Sequence, residues 1–252
     1  MSKIPIALQL YSVRDECQED FLDVIRKVGE MGYQGVEFAG FHGRTAGEVR
    51  SALDAAGLAC AGSHTGIGAL ADESFDATLD YLAEVGCPYV IVPGIPEEMR
   101  STPHACADTA RRFSDLCARI EERGMRAGYH CHYGDMVQLS DGRTAWYILG
   151  SMTPRSFVLQ YDTANGMSAG SDPVQPIRDW PGRGETIHLK EWAGRHGAAP
   201  IGEGDVPWTE VFAACEQLGG TVWYIVEHEG ESNLPSLEAA QRCLSNLRAM
   251  GK

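Results

Sequence analysis

The 252-residue sequence predicts one (β/α)8 barrel, the TIM-barrel architecture, as a single domain over residues 1–252. Three observations carry the prediction. Short apolar runs alternate strictly with longer amphipathic ones, there are eight of each, and eight even units in about 250 residues is the usual size of a closed parallel barrel. A doubly wound open sheet competes, but no G-x-G-x-x-G follows the first apolar run.

The strands are read in chain order at PIALQL (5–10), GVEFA (35–39), LACAGSH (58–64) and YVIVPG (89–94), then RAGYHCH (126–132), SFVLQYD (156–162), TIHLKE (186–191) and VWYIVEH (222–228). They are nearly continuous in apolar, β-branched and aromatic residues, as strands buried on both faces of a parallel sheet must be. Helical patterns lie between them at 19–32, 45–57, 74–86, 104–124, 142–152, 173–180, 207–219 and 236–251. Gly32, Gly57, Gly86, Gly124 and Gly219 stand where helices end, and Thr45 and Ser236 stand where an N-cap belongs. No linker or low-complexity segment divides the chain.

The formal charge is −14, from 35 acidic and 21 basic residues. That balance opposes nucleic acid as a partner, since duplex binding needs basic residues to displace condensed counterions. Eight cysteines without a C-x-x-C pair fit reduced thiols better than a disulfide framework. The opening MSKIPIALQL lacks the regions of a signal peptide, and no apolar run approaches the roughly 18–20 residues of a membrane span. The expectation is a cytoplasmic protein without a membrane partner.

In a parallel barrel the chemistry sits at the carboxyl ends of the strands. The polar residues there are Gln9 and Tyr11, Glu37, His64, His130 and His132, Asp162, His188 and Lys190, and Glu227, His228 and Glu229. Six of eight histidines lie in or just behind a strand. His130 and His132, two apart, aim at one side of an extended chain. Imidazole together with carboxylate is what a divalent transition metal takes as ligands. The strands read as fifth to eighth each offer one such group: His130, Asp162, His188 and Glu227. Two neutral imidazoles and two carboxylates neutralise a 2+ ion. The bland reading of any one of them is a hydrogen-bonded structural residue. Lys190 reads equally as a rim lysine, and Cys60 and Cys131 as small core hydrophobes.

LQLYSVRD (8–15), GYQGVEFAG (32–40), AGYHCHYGD (127–135), LQYDTANGMSAGSDP (159–173), IHLKEW (187–192), IGEGDVPW (201–208) and WYIVEHE (223–229) together resemble the xylose-isomerase-like sugar phosphate isomerase/epimerase superfamily. That group also contains inosose dehydratases, keto-sugar 3-epimerases and the endonuclease IV type of repair enzyme. The resemblance implies a divalent metal (Mn2+, Co2+, Mg2+ or Zn2+) on a strand-5 Glu, strand-6 Asp, strand-7 His and strand-8 Glu. The last three fall on Asp162, His188 and Glu227, while the first falls on His130, a departure from the two-glutamate epimerase pattern. It further implies that IGEGDVPW places an acid, Glu203, near the metal, and that Asn165 stands where relatives often carry a histidine.

The favoured expectation is a metal-dependent isomerase or epimerase working on a sugar or sugar derivative through an ene-diolate stabilised by the cation. Glu227 would be base and ligand, and His130 or His132 the acid/base on the opposite face. Lys190, His64 and Glu37 would contact substrate oxygens, while Tyr11, Trp192 and Trp208 would stack on the sugar. A dehydratase or lyase on a keto-inositol or 3-keto-sugar uses the same start, with a protonated His as acid. A non-catalytic sugar-binding barrel is the third reading, and DNA repair is opposed by the charge. No clear phosphate cradle is visible: AGRHG (193–197) supplies Arg195 and two glycines after the seventh strand, and the substrate is read as phosphorylated or not alike. The resemblance also allows a dimer or tetramer.

Overall fold

The computed structural model describes residues 3–194, 199–229 and 234–252; the Arg195 loop lies outside them. The eight strands are β1 (Ile6–Gln9), β2 (Gly35–Phe38), β3 (Ala59–His64), β4 (Tyr89–Val92), β5 (Arg126–His130), β6 (Val158–Gln160), β7 (Thr186–Leu189) and β8 (Trp223–Val226). All are parallel, in the order β6-β5-β4-β3-β2-β1-β8-β7. The two ends of that order meet through a parallel bridge between Asp162 and His188. The eight-stranded barrel expected from alternation is the fold.

The long helices are α1 (Arg14–Met31), α2 (Ala46–Ala56), α3 (Asp72–Val85), α4 (Pro103–Glu121), α6 (Ala145–Met152), α9 (Trp208–Ala214) and α10 (Ser236–Ala249). Short turns α5 (Tyr133–Met136), α7 (Thr163–Ser168) and α8 (Gln175–Asp179) lie over the later strands. α1 starts five residues before its sequence-read boundary, but its backbone breaks at Asp20 (φ −150°, ψ 89°). The Asp20 carboxylate there accepts the Asp23 N–H at 3.1 Å, so the amphipathic stretch from 19 onward has its own cap. Thr45 makes the expected capping box with Glu48.

Two cap readings are corrected. Gly219 lies inside a final π turn, and the left-handed residue is its neighbour Gly220 (φ 67°). Ser236 is the first helical residue of α10 after Pro235, and its hydroxyl donates to Glu16 instead of capping the helix.

Interior positions recur every second residue and turn from apolar to polar toward the carboxyl ends. Continued just past each strand's end, β8 gives Trp223, Ile225, Glu227 and β6 gives Val158, Gln160, Asp162, while β7 is polar throughout with Thr186, His188, Lys190. Tyr89, Ile91 and Val158 pack together inside, with Trp223 against them and against Ala7, Ala61 and Ile225. The larger apolar layer lies between sheet and helices. Gly128 is required by this packing, because a Cβ there would meet Ile91 Cδ1 at 2.5 Å and the Val158 backbone oxygen at 2.8 Å. Overfilling a core costs about 1–3 kcal/mol. Gly128→Ala should therefore lower the melting temperature by roughly 3–10 °C, and an unchanged melting curve would contradict the packing described.

Candidate metal centre

At the top of the barrel, one ligand-type atom from each of His130, Asp162, His188 and Glu227 lies within 4.8 Å of the other three, and all four residues are buried. The strands explain why they converge. His130 ends β5, Asp162 and His188 form the bridge that joins β6 to β7, and Glu227 directly follows β8. A second group, His64, His130 and His188, satisfies the same distance but contains no carboxylate.

Asp162 is held at its backbone and at one carboxylate oxygen. Its backbone N–H points at Cys131 Sγ at 3.2 Å, and its Oδ1 accepts the Asn165 N–H at 2.7 Å as the cap of α7. Asn165 Nδ2 in turn donates to the Cys131 carbonyl at 3.0 Å, which gives that residue a structural task. Among the described residues, Asp162 Oδ2 is buried with no hydrogen-bond partner. Such an orphaned anionic oxygen is costly unless something satisfies it, and its neighbours are donor atoms of metal-ligating types. The residues present therefore fit a divalent cation.

Charge in the metal-free cluster is balanced among the side chains themselves. Burial, reinforced by Glu227 and opposed by Lys190 and His188, pushes the Asp162 carboxyl up to about 7. His188 turns both ring nitrogens to carboxylates, Nδ1 to Glu227 Oε2 at 2.5 Å and Nε2 to Glu37 Oε2 at 2.6 Å. Burial alone would lower its pKa, yet Glu37 and Glu227 outweigh that and raise it to about 10. Burial also opposes ionisation of Glu227, but Lys190 and His188 overcome it and hold the carboxyl well below the usual range. His130 goes the other way. Burial, then His188 and His64, hold it well below the ordinary imidazole value, so it is neutral, as a metal ligand must be.

Lys190 Nζ pairs with Glu229 and lies 3.5 Å from Glu227 Oε1. Its ammonium is favoured over burial by Glu227, Asp162 and Glu229. The ring of His64 stacks on His188 (centroids 5.2 Å apart, planes 6° apart), and the ring of His132 stands edge-on to His130 with centroids 4.8 Å apart. His132 is exposed at the rim, anchored by its backbone N–H to Asp135 at 2.8 Å. Tyr11 is also at the rim, with the Arg14 guanidinium over its ring at 4.6 Å.

The structure does not bring every expected residue to this mouth. Glu203 is on the surface, where it accepts hydrogen bonds from Arg242 Nε at 2.6 Å and Asn246 Nδ2 at 2.9 Å. The acid that organises IGEGDVPW is Glu191, which accepts N–H bonds from Gly202 (2.6 Å), Val206 (3.0 Å) and Trp208 Nε1 (2.7 Å). Trp208 is buried by that bond and stacks on Phe212, so it is not a platform for a sugar. Trp192 is half-buried against the core. His228 points away from the cluster's strand face, and its backbone N–H donates to Ser12 Oγ at 3.0 Å. Glu37 is completely buried, beneath His188 instead of open to the mouth.

Sequence reasoning passed over Gln160 and underused Gln9. Both are fully buried and both donate to Glu37, Gln160 Nε2 at 2.7 Å and Gln9 Nε2 at 2.6 Å. The signal was a glutamine at the interior position of an otherwise apolar strand, in ALQL and VLQY.

A parallel barrel with an imidazole–carboxylate cluster across its last four strand ends defines a class, and comparison with known proteins gives it a family. The chain belongs to the xylose isomerase-like TIM-barrel family, whose model matches residues 25–250. Among curated relatives, inosose dehydratase from Geobacillus kaustophilus is 24% identical over 247 residues, covering 82% of this chain and 79% of that one. Among solved structures, a sugar phosphate isomerase/epimerase from Parabacteroides distasonis superposes with a TM-score of 0.85 at 19% identity, covering 98% of this chain and 95% of that one. D-allulose 3-epimerase from Methylomonas sp. superposes with a TM-score of 0.69 at 13% identity, covering 99% and 98%. These structural likenesses bear on the fold. Among the described residues no helix is long and apolar enough to cross a membrane.

Proposed function

We propose that the chain is a metal-dependent isomerase or epimerase of a sugar or sugar derivative, with His130, Asp162, His188 and Glu227 holding one divalent cation. The observation that carries this reading is the convergence of those four donors within 4.8 Å around an unsatisfied Asp162 oxygen. A cation bound there would supply Lewis-acid polarisation of a carbonyl and its neighbouring hydroxyl.

The chain's own residues then handle the proton and the charge. Glu227, held as the carboxylate, takes the proton from the carbon next to the substrate carbonyl. The C–H electron pair moves onto the carbonyl oxygen as the double bond shifts. Lys190, an ammonium 3.5 Å from Glu227, offers donors to the negative oxygen that develops, and such aimed charge in a dry site is worth several kcal/mol. His132 at the rim takes up a proton from water and passes it to carbon on the other face, or to the adjacent oxygen-bearing carbon for an isomerisation. Tyr11 and His64 bind the rest of the sugar. A small carbohydrate is the partner this site suits, and a mouth flanked by Glu227 and Glu229 disfavours a phosphodiester backbone.

One observation favours a second reading. The curated relative named inosose dehydratase makes elimination on a keto-inositol or 3-keto-sugar the alternative, with His132 protonating the departing hydroxyl. Incubation of ketoses, inososes and 3-keto-glycosides with the metal-loaded protein in D2O, followed by proton NMR, separates the two. Deuterium at the carbon beside the carbonyl in a stereoisomer or positional isomer is the expected result. Deuterium uptake with loss of water or aglycone selects the lyase, and no exchange into any of them overturns both.

A further inference from the structure

Beneath the four donors lies a layer of polar residues with no exposure at all: Gln9, Glu37, Gln160 and Thr186. It joins four strands, and its hydrogen bonds admit one consistent orientation. Both oxygens of the Glu37 carboxylate face nitrogen donors, Oε1 the Gln160 amide and Oε2 the Gln9 amide and His188, so Glu37 accepts throughout. Gln160 must therefore turn its amide nitrogen toward Glu37 Oε1 (2.7 Å), and the same nitrogen gives its second hydrogen to Thr186 Oγ1 at 2.9 Å. Its carbonyl oxygen is left facing two imidazoles, His64 Nε2 at 2.8 Å and His130 Nδ1 at 3.0 Å. Both of those nitrogens must carry a hydrogen. Gln9 is locked likewise, its nitrogen on Glu37 Oε2 and its oxygen on the Tyr11 N–H at 3.1 Å. Glu37 Oε2 also takes the hydrogen of His188 Nε2.

We infer that Glu37 and Gln160 are positioning residues that set which nitrogen each histidine offers to the cation: Nε2 of His130, because Gln160 occupies Nδ1, and Nδ1 of His188, because Glu37 occupies Nε2 while the partner of Nδ1 is Glu227, itself one of the four donors. This rests on the metal reading above and assigns Glu37 a place under the ligands instead of against substrate. A ligating imidazole whose other nitrogen donates to a fixed acceptor is held in one tautomer and ring orientation, and losing that acceptor typically weakens metal binding 10–100-fold. Here the two acceptors are coupled. Glu37→Gln keeps the size of the side chain but sets an amide NH2 against that of Gln160. Gln160 then flips, presents its NH2 to His130 and drives the His130 hydrogen onto Nε2, the nitrogen the cation needs.

The test has two independent readouts on the full chain. Long-range 1H–15N NMR of the metal-stripped wild-type protein should find His130 as the Nδ1–H tautomer; an Nε2–H His130 would overturn the inference without any variant. Calorimetry with Co2+ alone should then give one site in the wild type, a 10–100-fold weaker site in Glu37→Gln, and wild-type affinity in the surface control Glu203→Gln. Wild-type affinity in Glu37→Gln, with His130 still Nδ1–H, would also overturn it. No Co2+ bound by the wild type would defeat the metal reading, while the tautomer measurement would still judge the platform. If Glu37→Gln does not fold, the wild-type spectrum decides.

Discussion

At pH 8, Asp162→Asn is expected to raise the melting temperature of the metal-stripped protein while abolishing its response to metal. The two signs have one cause. Burial pushes the Asp162 carboxyl up to about 7 from an ordinary 3.8. A carboxyl whose folded pKa lies above its unfolded value binds its proton more tightly in the native state. Native stability is then lost as pH rises from about 4 to about 7, and above that the full penalty of the buried anion is present. Asparagine carries no such penalty, and its amide oxygen can still cap α7 where Asp162 Oδ1 accepts the Asn165 N–H.

The same substitution removes an anionic donor from the cluster. The wild type should gain roughly 5–10 °C with metal at about a hundred times its dissociation constant, and the variant essentially nothing. Activity should fall by about 1000-fold or more, since several kcal/mol of transition-state stabilisation go with the cation. Differential scanning fluorimetry at pH 5 and pH 8, with and without Mn2+, checks each sign. A variant less stable than wild type without metal at pH 8, or one that keeps the metal-induced shift, would contradict the account of this carboxylate.

The second large effect lies away from the chemistry. Glu191→Ala should destabilise the protein by about 3–5 kcal/mol, lowering the melting temperature by roughly 10 °C or more. It would leave the N–H groups of Gly202 and Val206 and the Trp208 indole without their acceptor, in the segment that leads into the start of α9. Each buried donor left unmet costs about 1–3 kcal/mol. Glu203→Ala removes only exposed bonds, from Arg242 and Asn246, and surface pairs contribute about 0–1 kcal/mol. Thermal melts of the two variants, with proteolysis timed across 201–208, compare them directly. Equal losses would show that Glu191 does not anchor the loop.

How much of this was legible in the chain follows from the range of each signal. The barrel was legible because every strand and helix announces itself locally, by apolar runs, spacing and glycines such as Gly32, Gly57 and Gly86, all left-handed at helix ends. His130, Asp162, His188 and Glu227 were legible because polar groups that end buried strands are few, and closure brings strand ends together. The roles of the glutamates were not. Glu191 and Glu203 both follow the seventh strand, and only the return of the chain from 201 to 208 onto Glu191 decides which is buried. Glu37 and Gln160, 123 residues apart, likewise show nothing locally of the bond that joins them. Ser236 read as a cap, but Pro235 already occupies the cap position and Glu16 takes the hydroxyl.

The central claim is a single divalent cation shared by the ends of the last four strands. Anomalous diffraction from a crystal of the protein grown with Mn2+ tests it most directly. The account predicts one strong peak in coordination distance of His130, Asp162, His188 and Glu227, with Glu37 still behind His188. No peak there at saturating Mn2+, or a peak bound elsewhere while these four side chains keep to one another, would contradict it.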